Sequence, residues 1–138
     1  MSKNRSLSKQ EIAFIARHFE DIFKNLPGWA YIKDIHGVYI ICNTNLAKDF
    51  GFTSPDDLIG KSDFDLASST QAKLLRDIDI KIMESGEPEF LEEVGTKTDG
   101  TPITYLTRRI PIKDKNNHVK GILRTSEDIT NLKKQKKS

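Results

Sequence analysis

Strand-forming sequence sits at the two ends of this chain and helix-forming sequence lies between, an order that restricts which folds are open to it. Near the start, Trp29-Ala30-Tyr31-Ile32-Lys33-Asp34 and Val38-Tyr39-Ile40-Ile41-Cys42 are rich in aromatic and β-branched residues, with His36-Gly37 between them as a turn. Near the end, residues 89–96 and 101–112 flank an Asp99-Gly100 turn, and a third run begins at Val119 after Asn116-Asn117. Runs joined by turns this short pair as antiparallel hairpins. The expected class is therefore α+β, an antiparallel sheet with helices on one face, in preference to a parallel doubly wound sheet.

The helical signals are equally local. Ser8-Lys9-Gln10-Glu11 has the spacing of a capping box. Ile12, Ile15, Phe19, Ile22 and Leu26 then recur at helical spacing until Pro27-Gly28 ends the run. Such an amphipathic helix either covers the chain's own sheet or pairs with its copy in a second subunit. Asn43 or Thr44 caps a short helix reaching Phe50 and closed by Gly51. Ser54 caps another, with Pro55 in its first turn and Asp56 and Asp57 at the positive end of the helix dipole. Gly60 breaks the chain, and residues 61–66 read as a turn or a single helical loop. Ser69 or Thr70 starts a longer helix whose Leu74, Leu75, Ile78 and Ile82 form a core stripe, ended by Ser85-Gly86 and Pro88.

At 138 residues with 36% hydrophobic content, the chain fits one domain with a modest core. Its net charge of +2 rests on the tail, since removing Lys133, Lys134, Lys136 and Lys137 turns it to −2. That run reads as solvated charge and gives no nucleic-acid footprint. The lone Cys42 excludes an internal disulfide framework and a thiolate-rich metal site, and it suits a reducing, cytoplasmic setting. No apolar run approaches the roughly 18 residues of a membrane span, and Met1-Ser2-Lys3-Asn4-Arg5 is not followed by a signal-type apolar block. The expectation is a soluble segment, compatible with a membrane-anchored parent. Neither a nucleophile with a base, nor a phosphate-cradling loop, nor a metal cluster is visible. His18, His36 and His118 read as surface residues and Asp56 and Asp57 as helix-start acids, so no catalytic or metal site is expected.

Specific residues add to this layout. They are Leu26-Pro27-Gly28, Lys33-Asp34 with His36-Gly37, Asn43 with Ala47, and Phe50-Gly51-Phe52. Asp57-Leu58-Ile59-Gly60-Lys61, Asp63-Phe64-Asp65-Leu66, Gly86-Glu87-Pro88 and Asp99-Gly100 follow, then Pro111 with Lys113-Asp114, and Gly121 leading to Asp128-Ile129-Thr130. Together these resemble the PAS domain family, in particular the PAS modules of bacterial sensor histidine kinases, over about residues 20 to 130. The resemblance is distributed along the chain, which makes it specific for fold and less so for function.

It implies a five-stranded antiparallel sheet in the order 2-1-5-4-3 with short helices cupping a small cavity. Residues 1–25 would be an N-terminal capping or dimerisation helix, 26–130 the PAS domain and 131–138 the start of a truncated signalling linker. The resemblance further implies that Asp128 anchors back to the domain and Thr130 caps the outgoing helix, with Ile129 between them. Period two places Tyr105, Thr107 and Arg109 on one face of the fourth strand, opposite Leu106, Arg108 and Ile110. In the fifth strand Ile122, Arg124 and Ser126 oppose Leu123, Thr125 and Glu127. Aligning Asp128 with the family ending turns Ser126 into the cavity, and Arg124 and Arg109 with it. The expected lining is Tyr31, Cys42, Phe64, Ile78, Tyr105, Thr107, Arg109, Ile122, Arg124 and Ser126, a polar pocket suited to a carboxylate or phosphate. The alternative is that the arginines lie on the outer face or pair with Glu92 or Glu93.

The cofactor is left unknown. Residues 70–84 lack the axial histidine of haem-binding relatives. Residues 61–69 lack the cysteine of photoactive flavin domains, so both chemistries are disfavoured. Leu106, Ile110 and Leu123 would form an outer apolar stripe, giving a homodimer together with Ile12, Ile15 and Phe19. The expected function is a noncatalytic sensory PAS module of a signal-transduction protein, read as a bacterial two-component histidine kinase with its output domain in cis. In this reading it binds a small ligand and relays the state through its Asp-Ile-Thr ending. The alternative is a ligand-free PAS scaffold for dimerisation or protein interaction.

Overall fold

The computed structural model describes residues 5–96 and 99–137, with side chains described through Gln135. Met1 to Asn4 and Ser138 lie outside them, as do two residues of the loop before Asp99. Helix α1 (Lys9–Lys24) begins at the expected capping box: the Ser8 hydroxyl accepts from the Glu11 amide and the Glu11 carboxylate accepts from the Ser8 amide. Strands β1 (Trp29–Asp34) and β2 (Tyr39–Cys42) form the first hairpin, and helix α2 (Thr44–Asp49) follows with Asn43 as its cap. A 3-10 turn at Pro55–Asp57 and the one-turn helix α3 (Asp63–Leu66) lead to α4 (Ser69–Ser85), capped by Ser68 and closed by Gly86 in the left-handed conformation. Strands β3 (Glu89–Thr96), β4 (Pro102–Lys113) and β5 (Val119–Asp128) run into the exit helix α5 (Thr130–Lys137).

The five strands pair antiparallel in the order β2-β1-β5-β4-β3. The last strand thus lies at the centre, between the first hairpin and the β3–β4 pair. Opposite pairs Tyr31↔Arg124, Arg109↔Arg124, Thr107↔Ser126 and Glu89↔Arg109 put these side chains on one face of the sheet. Close backbone packing helps fix this register. Gly121 lies against the Lys33 carbonyl, where an added Cβ would stand 2.4 Å from the oxygen.

Each face has its own core. On the helix side Tyr31, Tyr39, Cys42, Leu46, Ala47 and Leu58 pack together. On the outer side Phe23 buries itself against Ala30 and Ile41, with Leu26, Ile32 and Leu123 around it. Only the C-terminal end of α1 therefore covers the sheet. Ile12, Phe14, Ile15, Phe19 and Ile22 remain exposed, so the helix does one of its two expected tasks and leaves an apolar face uncovered.

Helix α4 departs from its expected core stripe. Ala72, Asp79 and Ile82 are its buried residues, whereas Leu74 and Ile78 are 55% and 37% exposed. The helix leans over an open hollow, and its Leu74-Leu75-Ile78 edge lines that hollow instead of closing a core.

Candidate functional site

The hollow between α4 and the sheet is a cavity of about 550 Å³. Its helix-side wall is mainly apolar, built from Leu46, Phe50, Leu66, Leu74, Leu75 and Ile78 with Asp63 and Gln71 among them, and its sheet-side wall carries Tyr31, Tyr39, Glu93, Arg109 and Arg124. A smaller annex of about 280 Å³ opens beside it among Glu93, Tyr105, Thr107, Arg124 and Ser126, and Trp29 borders both spaces. The Trp29 indole is held in place by donating to Asp49 at 2.6 Å and meeting the Phe50 ring edge-on.

Beneath the floor lies a buried ionic group. Lys33, 1% exposed, extends from β1 toward the helices and donates to Asp63 at 2.5 Å and to Asp79 at 3.0 Å. The Tyr39 hydroxyl donates to the other Asp63 oxygen at 2.7 Å. The ammonium also stands over the Tyr31 and Tyr39 rings, 4.8 and 5.0 Å from their centroids. Burial alone would lower the Lys33 pKa, but Tyr31, Asp79 and Asp63 outweigh it and hold the group above its ordinary value. Tyr39 is pushed up, first by burial and then by Tyr31 and Asp63, so its phenol keeps its proton.

The two arginines of the sheet wall differ. Arg109, 4% exposed, is paired with Glu89 at 3.2 Å, a partner other than the Glu92 or Glu93 of the alternative reading; Glu92 pairs with Lys133 at 2.8 Å. Arg124 forms no ion pair among the described residues, and its buried Nε lacks an acceptor. Its guanidinium lies 6.0 Å from the Tyr31 ring centre. Burial would lower its pKa, yet Tyr31, Glu93 and Asp79 together raise it, so it stays charged.

Of the residues expected to line the cavity, Tyr31, Ile78, Arg109 and Arg124 border the main space, while Tyr105, Thr107 and Ser126 border the annex. Three do not. Cys42 is fully buried in the helix-side core, with its thiol against the Pro55 carbonyl at 3.7 Å, because the adjoining Leu46 and Leu58 close over it. Phe64 is 55% exposed, since the single turn of α3 points Asp63 inward and Phe64 out. Ile122 is 1% exposed, opposite Pro111 and Lys33, under the floor. The residues missed were Lys33, Asp63, Asp79, Trp29 and Glu93. Lys33 shares the face of Tyr31 by period two, and Asp79 shares the face of Ala72 and Ile82 at helical spacing, so both signals were present.

The closing motif ties the start of the exit helix to the sheet. Thr130 anchors to the domain, because its hydroxyl accepts from the Thr104 amide at 2.9 Å, next to the bond from the Ile129 amide to the Thr104 carbonyl at 2.8 Å. Asp128 starts the helix, its carboxylate accepting from the Thr130 amide at 2.9 Å and hydroxyl at 2.5 Å. A short acidic acceptor two residues ahead suits the exposed amides of a helix start, whereas the Thr hydroxyl reaches the neighbouring strand.

A five-stranded antiparallel sheet cupped by short helices around a cavity, with its last strand central and leading into an exit helix, defines a PAS-type module. A family model described as PAS fold matches residues 23–134, and the chain belongs to that family. It is 28% identical over 125 residues to the methanogenesis regulatory histidine kinase FilI of Methanothrix harundinacea, covering 90% of this chain and 14% of the kinase. It is 24% identical to sporulation kinase A of Bacillus subtilis, covering 92% of this chain and 20% of that protein. The chain thus spans a fifth or less of these relatives. Among solved structures it is similar to the PAS domain of Bordetella pertussis BvgS, with TM-score 0.68, 22% identity, 88% of this chain and 94% of that one. It is also similar to the phage VqmA–DPO complex, with TM-score 0.69, 21% identity, 96% of this chain and 60% of that one.

Proposed function

We propose that this PAS domain is the noncatalytic sensory module of a signal-transduction protein, a histidine kinase in the manner of its relatives, and that it binds a small ligand in its cavity. The observation that carries this reading is Arg124: a charged guanidinium lining a 550 Å³ cavity, with no ion pair among the described residues. Cavities of a few hundred Å³ with apolar walls and a few polar groups are the usual form of small-molecule sites. A ligand's acidic group placed on Arg124 would supply the missing acceptor and form a charge-assisted hydrogen bond. One structural neighbour is a phage VqmA–DPO complex and another a Vibrio cholerae VqmA–ligand–DNA complex, so proteins that carry this fold bind ligands.

The signal leaves by a short route. Arg124 and Ser126 border the binding spaces, and Asp128-Ile129-Thr130 continues the same strand into α5. A ligand that moves Arg124 acts on the strand that also holds the outgoing helix. The test is mass spectrometry of small molecules released on denaturing the purified chain, followed by titration of the identified compound into wild type and Arg124→Ala. Wild-type binding weakened at least tenfold in the variant supports the reading, and unchanged affinity for an acidic ligand sinks it.

The second reading is a scaffold that acts by pairing with its own copy. It is favoured by the uncovered apolar face of α1, where Ile12, Phe14, Ile15, Phe19 and Ile22 stand in water, continuing toward half-buried Leu106 and Ile110 on the outer sheet face. Leu123, also expected at the dimer interface, packs instead beside Phe23 within the protomer. Light scattering at high concentration decides it: a dimer is expected, dispersed by Ile15→Glu with Phe19→Glu.

A further inference from the structure

The charges around the cavity narrow the class of ligand, an inference that rests on the ligand-binding reading above. In and directly behind the sheet wall stand three cations, Lys33, Arg109 and Arg124, and four carboxylates, Asp63, Asp79, Glu89 and Glu93. Lys33 is satisfied by Asp63 and Asp79, and Arg109 by Glu89. Two groups remain without an ion pair among the described residues, Arg124 and Glu93, and they border the same annex and the same main cavity. The wall therefore offers a dianion such as a phosphate monoester no net attraction, because the carboxylates outnumber the cations. It offers a complementary fit to a group carrying both signs.

The rest of the space agrees in shape. The annex carries Arg124 and Glu93 together with the hydroxyls of Thr107 and Ser126, 3.3 Å apart, among the less polar Trp29, Val94 and Tyr105. The main cavity beside it is lined from α4 by Leu74, Leu75 and Ile78, with Gln71 as that helix's one polar member. A two-signed head in the annex would leave an apolar body against α4.

We infer that the ligand is a zwitterion with an apolar body, of the chemical class of the hydrophobic α-amino acids, its carboxylate on Arg124 and its ammonium on Glu93. A site that presents two opposite charges discriminates against a compound that lacks one of them, because one wall group is then left without its partner.

The experiment is a thermal-shift panel of the twenty proteinogenic amino acids on the whole 138-residue chain after unfolding and refolding, with calorimetric titration of the best member. That member is then compared with its two half-ligands; for L-phenylalanine these are 3-phenylpropanoate and 2-phenylethylamine. The inference expects the amino acid to bind at least tenfold tighter than either half. It also expects Glu93→Gln, checked for folding by circular dichroism, to abolish the advantage over the acid while Arg124→Gln weakens both. An acid that binds as well as the amino acid overturns the zwitterion class and leaves the ligand-binding reading standing. A panel without any stabilising member overturns it too, as does identification of a bound compound that lacks a cationic group. A chain that retains no small molecule and responds to none removes both.

Discussion

Lys33 is the residue on which the helix-side architecture depends. Among the described residues its ammonium is the cation in ion-pair contact with both Asp63 and Asp79, and both carboxylates are buried. Lys33→Met fits the space but leaves two buried anions facing each other, and breaking a buried ion pair from one side costs about 3–5 kcal/mol. Urea unfolding should register a loss of that order. Adding Asp63→Asn and Asp79→Asn to the same chain should recover most of it, because the uncompensated charge is then gone; a single variant as stable as wild type would refute the assignment. Cys42 supplies the pH dependence. Burial, and after it Asp56, pushes its pKa from an ordinary 9.0 up to about 11. The native state therefore holds the thiol proton more tightly than the unfolded chain does. The thiol's contribution to stability is complete below pH 9.0 and drains away as pH climbs from 9.0 to about 11. In urea titrations across that window the stability gap between wild type and Cys42→Ala should narrow, and a constant gap would show that the thiol is not perturbed.

At the scale of elements, two polar side chains knit pieces that hydrophobic packing alone would leave loose. Asn43, fully buried, donates to the carbonyls of Leu26 and Gly28 at 2.8 Å each and accepts from the amides of Ala30 and Leu46 at 3.1 and 3.2 Å. It ties the end of the α1 connection, the first strand and the start of α2 at one point. Asn43→Ala should cost about 2–4 kcal/mol in urea unfolding, since each buried backbone group left unpaired costs about 1–3 kcal/mol. Thr130 does the corresponding work at the exit. Thr130→Val removes the acceptor of the Thr104 amide, so exchange of that amide should accelerate and α5 should lose helicity, with global stability reduced by about 0.5–2 kcal/mol. Unaltered exchange at Thr104 would mean that the helix is held elsewhere. Element boundaries were readable because caps and breakers are local: Ser8 with Glu11, Asn43, Gly86 and the period-two runs of β4 and β5 each announce themselves. The burial of α4 was not readable. Asp79 goes inward and Leu74 outward because of Lys33, 46 residues away in sequence, and no window centred on the helix contains that partner.

For the molecule as a whole, the layout of strand-forming runs gives an antiparallel sheet, the order of its strands is what the family resemblance implied, and the alternation within β4 and β5 matches their faces in the sheet. The cavity was legible mainly on its sheet side, with Ile78 the one correctly expected residue from α4. Tyr31, Arg109 and Arg124 are placed by strand parity, whereas Cys42 and Phe64 depend on how the short helices fold over the sheet, which no periodicity encodes. The half-open helix wall has a practical consequence. Phe50, Leu74 and Ile78 rim the hollow while remaining 43%, 55% and 37% exposed, so the domain has a sticky mouth. Surface of that kind scavenges. Protein taken from an expression host should arrive already loaded with whatever apolar metabolite or detergent it has met, and an affinity measured on such material reports displacement of a squatter. Stripping the chain in denaturant before titration is accordingly the step on which every binding measurement depends.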